Sequence, residues 1–168
     1  MPTILEWGPL SRVRRNHALE HATLQVLAES NPALRMAGYS DTGGFWLLGE
    51  VPSEQVDAAV HQALARLEGG EYNLAVHPNC GTNFVTAGFI AGTLGWVGML
   101  GARGARDKLE RWPMIVSLVT IALILAQPLG LLLQARVTTE AIMGGLQVSG
   151  IQRQQRGRLP VHRVITRG

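Results

Sequence analysis

Two histidines and a glutamate fall within five residues near the start of the chain, His17-Ala18-Leu19-Glu20-His21. On a helix, residues four apart lie one turn apart on the same face, so both imidazoles can converge on one ion, with Glu20 projecting from nearly the same face. Two neutral imidazoles beside a carboxylate that can take a proton from water are what a mononuclear zinc hydrolase requires. A second group of donors follows in His77-Pro78-Asn79-Cys80-Gly81-Thr82. His77 and Cys80 are both good zinc ligands, and Pro78 and Gly81 make a rigid turn that could aim them at the first helix. Glu68 and Glu71 are further candidates for a third ligand. Three protein ligands would leave a coordination position open for catalysis, whereas a closed set of His17, His21, His77 and Cys80 would be structural. Asp41 and Glu50 are candidate partners for an imidazole N–H, with turn and rim roles equally able to explain them. His61, beside Gln62, reads as ordinary surface.

The elements that must position these groups can be traced along the chain. Asn16 is expected to cap a helix over His17 to Glu29, ended by Asn31-Pro32. Met36 to Val51 reads as two strands joined by the turn Asp41-Thr42-Gly43-Gly44. Ser53 opens a second helix whose Val56, Ala59, Val60, Ala63, Leu64 and Leu67 form an apolar stripe of helical period, stopped by Gly69-Gly70. Tyr72 to Val76 is expected as a third strand. The predicted fold class is therefore an α+β membrane protein: a small α-β-β-α-β soluble domain over residues 1–82, a two-helix transmembrane hairpin over 83–135, and a short β-rich polar tail over 136–168. The tail's Val137-Thr138-Thr139, Leu146-Gln147-Val148 and Val161 to Ile165 alternate as strands do and could extend the N-terminal sheet.

The membrane assignment rests on two uncharged stretches, 83–101 and 113–134, each close to the roughly 20 residues that cross a hydrocarbon core as a helix. The intervening Arg103, Arg106, Asp107, Lys108, Glu110 and Arg111 are too polar for lipid and read as a loop. Gly88 and Gly92, four apart, and Ala91 and Gly95, also four apart, make a smooth face for a close helix contact, either with the second span or with another copy of the chain. Trp96 and Trp112 lie near span ends, where indoles favour the interface. Charged residues are 16% of the 168, below the roughly 25% of soluble proteins. The net charge of +3 comes from arginine clusters at Arg12, Arg14 and Arg15, in the 103–111 stretch, and at Arg136, Arg153, Arg156, Arg158, Arg163 and Arg167. Clusters beside apolar helices suit anionic lipid headgroups, so a lipid bilayer is the expected partner and nucleic acid is not. The positive loop between the spans argues for a cytoplasmic loop, while a folded N-terminal domain without a secretory signal argues for cytoplasmic ends; the second is preferred, with both termini in the cytoplasm. A single cysteine excludes an intramolecular disulfide.

The string His17 to His21 resembles the inverted zincin motif H-x-x-E-H, and on that resemblance His17 and His21 would bind Zn2+ and Glu20 would act as general base. Inverted zincins take their third ligand from a glutamate on a later helix, so His77 or Cys80 in that role departs from the pattern. Over most of residues 12 to 150, Asn16 to Thr23 (NHALEHAT), GGFWLLGEV, ARLEGGE, HPNCGTN and the two apolar stretches are similar to an uncharacterised family of small two-span bacterial membrane proteins with a domain of unknown function. That resemblance implies the architecture and a bacterial inner-membrane location, and no activity. Two functions follow as expectations. One is a membrane-bound zinc-dependent hydrolase, a peptidase acting on a peptide or protein near the bilayer surface. The other is a non-enzymatic accessory or assembly subunit, or a homo-oligomer through the Gly88/Gly92 face, with a structural metal or none.

Overall fold

The structure is a computed structural model that describes residues 4–157 and 159–168; Arg158, one of the tail arginines named above, lies outside them. The chain divides into two compact units, one made of Met1–His77 with Ala135–Gly168 and the other of Pro78–Gln134.

In the first unit, helix α1 (Gly8–Ser30) begins nine residues before His17, with Pro9 in its first turn, where a missing N–H costs nothing. Asn16 is therefore not a cap. It lies fully buried inside the helix, donating to the Asp41 carbonyl at 2.8 Å and accepting from Thr166 Oγ1 at 2.7 Å. Strands β1 (Ala37–Asp41) and β2 (Gly44–Leu48) form a hairpin, and α2 (Ser53–Glu68) follows with Val56, Ala59, Val60, Ala63 and Leu67 buried. The tail supplies β3 (Gln147–Arg156) and β4 (Leu159–Arg167), giving a four-stranded antiparallel sheet in the order β1-β2-β4-β3. Phe45 and Leu47 of β2 and Val164 of β4 face the helices, where they join Leu19, Ala22, Val56, Val60 and Leu67 in one core. The opposite face carries Tyr39 stacked on Trp46, with the Arg163 guanidinium over the Trp46 ring at 4.9 Å.

Two expected strands are absent. Tyr72–Ala75 is a 3-10 turn, and Gln134–Thr138 is a π-helical turn continuing the helix before it. The reason is competition for partners: β4 occupies the edge of β2 that Tyr72–Val76 would have needed, and carbonyls of that segment bond to side chains of α1 instead.

The second unit is an antiparallel helical pair, α3 (Gly81–Met99) and α4 (Ala105–Leu133). Gly98 faces Ile115, Gly95 faces Val119 and Asn83 faces Gly130, the descending register of antiparallel packing. Of the expected smooth face, Gly95 takes part in this approach, whereas a Cβ on Gly88 or Gly92 would meet nothing within 4 Å. Residues 105–112, expected as loop, form the first two turns of α4. The Arg106–Glu110 pair at 2.9 Å, one turn apart, supports them. Among the described residues one helix is long and apolar enough to cross a membrane, Ala105–Thr138, with a window of mean hydropathy 2.3. The expectation of two such spans is corrected to one, because Thr82, Asn83, Thr86, Thr93 and the glycines dilute the apolar character of α3.

Gly44 marks a close backbone approach in the sheet. It has φ +139°, and a Cβ there would lie 2.0 Å from the Val164 carbonyl of β4. Gly44→Ala is expected to cost at least about 2 kcal/mol of stability, because backbone must move to accept it. Chemical denaturation of the detergent-solubilised protein, followed by circular dichroism, checks this.

Candidate metal centre

The site residues are positioned by α1 and by two segments laid across it. At 100° per residue, Asn16 and Glu20 point toward β1, His17 and His21 occupy the neighbouring stripe, and Gln25 lies beyond them. Gln25 Nε2 donates to the carbonyls of Leu74 and Val76 at 2.8 and 3.1 Å, stitching the Tyr72–Ala75 turn to the helix. This carries His77 to the histidine stripe.

The other segment is fixed by Arg14, only 7% exposed. Its guanidinium donates to the carbonyls of Val137 (2.7 Å), Thr139 (3.0 Å), Leu5 (3.2 Å) and Arg136 (3.3 Å), and pairs with Glu140 at 3.1 Å. Arg15 donates to Met143 O and to Ser11 Oγ. The arginine cluster at Arg12, Arg14 and Arg15 was expected to suit lipid headgroups; Arg14 and Arg15 instead hold residues 136–144, since a planar fork of donors matches a cluster of carbonyls.

Three imidazoles meet as a result. The His17 and His21 ring centroids are 4.3 Å apart, and those of His21 and His77 are 5.8 Å apart. A tetrahedral ion about 2.0–2.1 Å from each ring nitrogen would put neighbouring centroids about 5 Å apart, and the observed values bracket that figure. His17 Nδ1 lies 3.0 Å from Thr138 O, and His21 Nδ1 lies 2.8 Å from Ala75 O. A carbonyl only accepts, so in both bonds Nδ1 carries the hydrogen, which in a neutral ring leaves the lone pair on Nε2. Metal-ligating histidines are oriented in this way, by handing the second ring N–H to a carbonyl or carboxylate. Imidazole nitrogen is one of the donor types that zinc takes.

Glu20 is buried, and Ser40 Oγ of β1 donates to its Oε2 at 2.5 Å. Gly38 leaves the room for this: a Cβ there would lie 2.5 Å from Glu20 Oε1. Cys80 belongs to the second unit, where it caps α3 and its Sγ accepts from the Thr82 N–H at 3.4 Å. Three residues of chain from His77 keep the two Cα atoms within about 11 Å.

The remaining candidates lie elsewhere. Glu71 is exposed and held by Arg66, whose hydrogen bond lowers its pKa; Arg66, in turn raised, also pairs with Glu29. Glu68 is exposed at the end of α2. Asp41 pairs with Arg163 through both oxygens, at 2.7 and 2.8 Å, and this hydrogen-bonded pair lowers its pKa against the opposing effect of burial. It serves the hairpin, accepting the Gly43 N–H, rather than an imidazole. His61 is exposed on α2, near Asp57. Glu50 lines a cleft at the start of α2. Gln25, Ser40 and the carbonyls of Ala75 and Thr138 were not among the residues singled out in the sequence, and Arg14 was read there only as part of a lipid-facing cluster. Only Arg14 and Gln25 left any signal there, as polar residues on the histidine-bearing helix.

The family described as "Domain of unknown function (DUF6391)" matches residues 12–151, from α1 through both units into β3. The chain belongs to this family. An uncharacterized protein of Picosynechococcus sp. is 41% identical over 99 residues, 51% of this chain and 48% of the relative, so the chain spans about half the length of the curated relative it matches. No solved structure matches.

If the three imidazoles hold an ion, the purified full-length protein should contain about one Zn2+ per chain by mass spectrometry. His21→Ala should lose it, and Gln25→Ala, which releases the His77 turn without removing a ligand, should weaken affinity by about 10- to 100-fold in a chelator competition.

Proposed function

We propose that this protein is a membrane-anchored zinc-dependent hydrolase, a peptidase of the bilayer surface, with His17, His21 and His77 or Cys80 holding the ion. What supports the reading is one observation above the others: two imidazoles one turn apart each give Nδ1–H to a main-chain carbonyl, so both present Nε2. Zinc bound there would supply Lewis acidity toward a carbonyl oxygen and toward water. The chain's own part falls to Glu20. Its carboxylate would take the proton from water as the oxygen adds to the peptide carbonyl carbon, and return it to the amine as the C–N bond breaks. Ser40 would hold Oε2 throughout, which fixes the carboxylate's direction. The α4 helix would anchor the chain, because it is long and apolar enough to cross a membrane and its Ile124 and Leu125 are largely exposed. The membrane would be a bacterial inner membrane with both termini cytoplasmic.

A second reading, a non-enzymatic subunit with a structural ion, is favoured by the Ser40–Glu20 bond and the close fit against Gly38, which suit a carboxylate kept as a packing element. The two readings separate on Glu20→Gln. For the hydrolase, the variant keeps its zinc and loses at least about 100-fold in cleavage of a quenched fluorescent peptide by protein in lipid nanodiscs. Zinc in both proteins with cleavage in neither supports the structural ion, and zinc in neither overturns both metal readings.

Membrane anchoring has its own test. Ile124→Arg with Leu125→Arg should move a large share of the protein from the carbonate-resistant membrane fraction, since each charge at mid-helix costs about 2.5–3.5 kcal/mol of insertion.

A further inference from the structure

The first unit contains a fifth histidine whose environment differs from the others. His162, on the central strand β4, is fully buried; its Nε2 is 3.2 Å from Ser53 Oγ, at the first residue of α2, and its Nδ1 has no hydrogen-bond partner. The hydroxyl can serve the neutral ring in either tautomer. It can serve only one N–H of the charged ring, which would leave the second N–H buried without an acceptor.

The charged groups around this residue sharpen the effect. Arg153 of β3 is its register partner across the sheet, and on the β2 side the register partner is Leu47, which does not titrate. The α2 N-terminus adds the positive end of a helix dipole. Glu50 and Glu54 are near, but they line a solvent-facing cleft of about 290 Å³ with Val51, Pro52, Ser53 and Arg153. Burial first, and Arg153 second, lower the pKa of His162.

We propose that His162 and Ser53 form an acid-sensitive latch: with a neutral ring the latch ties the first turn of α2 to the sheet, and protonation releases that turn toward the cleft, where Glu50 and Glu54 can accept the new N–H. The sign follows from linkage. A histidine whose folded pKa lies below its unfolded value of about 6.5 binds fewer protons when folded, so its stabilising contribution is complete above about pH 6.5 and falls away as pH drops below it. The released element matters because α2 packs against α1, the helix that carries His17, Glu20 and His21.

Hydrogen exchange of the full-length protein in nanodiscs, corrected for the intrinsic pH dependence of exchange, reads the latch directly. In the unaltered protein, protection of residues 53–58 and 159–166 is expected to fall by up to about tenfold per pH unit below about 6.5. In His162→Leu, which fills the site without a titrating group, that loss should vanish, while any loss caused by the other histidines remains common to both proteins. Parallel loss in the two proteins overturns the proposal. Should His162→Leu fail to fold, the ring signals of His162 in the unaltered protein decide. A neutral ring persisting below pH 6, with charging and release of α2 coinciding, supports the latch. Charging near pH 6.5 with α2 still protected refutes it.

Discussion

A buried guanidinium organises the polar interior of the first unit. Arg14 is taken out of water and repaid by four carbonyls and the Glu140 carboxylate, so every residue from 136 to 140 except Thr138 gives it a direct acceptor. Thr138 is the exception for a reason of geometry. With its neighbours pinned to α1, its carbonyl turns to His17, one turn along the helix from Arg14, and sets that ring's tautomer. A buried charge held this way is costly to break and weak as a source of net stability, so its value here lies in specifying one path for the chain.

The same logic recurs on the far side of the histidine stripe. Gln25 and His21 take three successive carbonyls, of Leu74, Ala75 and Val76, and hold the turn in a conformation with no ladder partner. Backbone groups that would otherwise require a strand neighbour are thus satisfied by helix side chains. The two flanking segments approach α1 from different parts of the sequence, and each ends by orienting one imidazole.

The second unit is built differently. Its helices meet along Ile115, Ala122, Ala126 and Gly130 of α4 and the glycines of α3, while the large apolar side chains point away from the pair. That arrangement leaves close packing and polar pairing to join the helices. The Gln134–Asn83 hydrogen bond at 2.5 Å, with Gln134 fully buried, is such a pairing.

Periodicity carried a good deal of this in the sequence. The α2 stripe, the β1–β2 hairpin, the apolar stretch of α4 and the one-turn spacing of His17 and His21 all depend on short-range geometry, which residue order states directly. Glycine-diluted α3 and the charged first turns of α4 were harder to read, because composition there opposes the local pattern. What only the tertiary structure decided was the partner of each polar group. Whether Tyr72–Val76 became a strand depended on β4 arriving from about ninety residues later; whether Arg14 faced lipid or carbonyls depended on where residues 136–140 returned. Those outcomes are set by competition for hydrogen-bond acceptors between distant segments, and a linear sequence records the donors without recording which acceptor comes within reach.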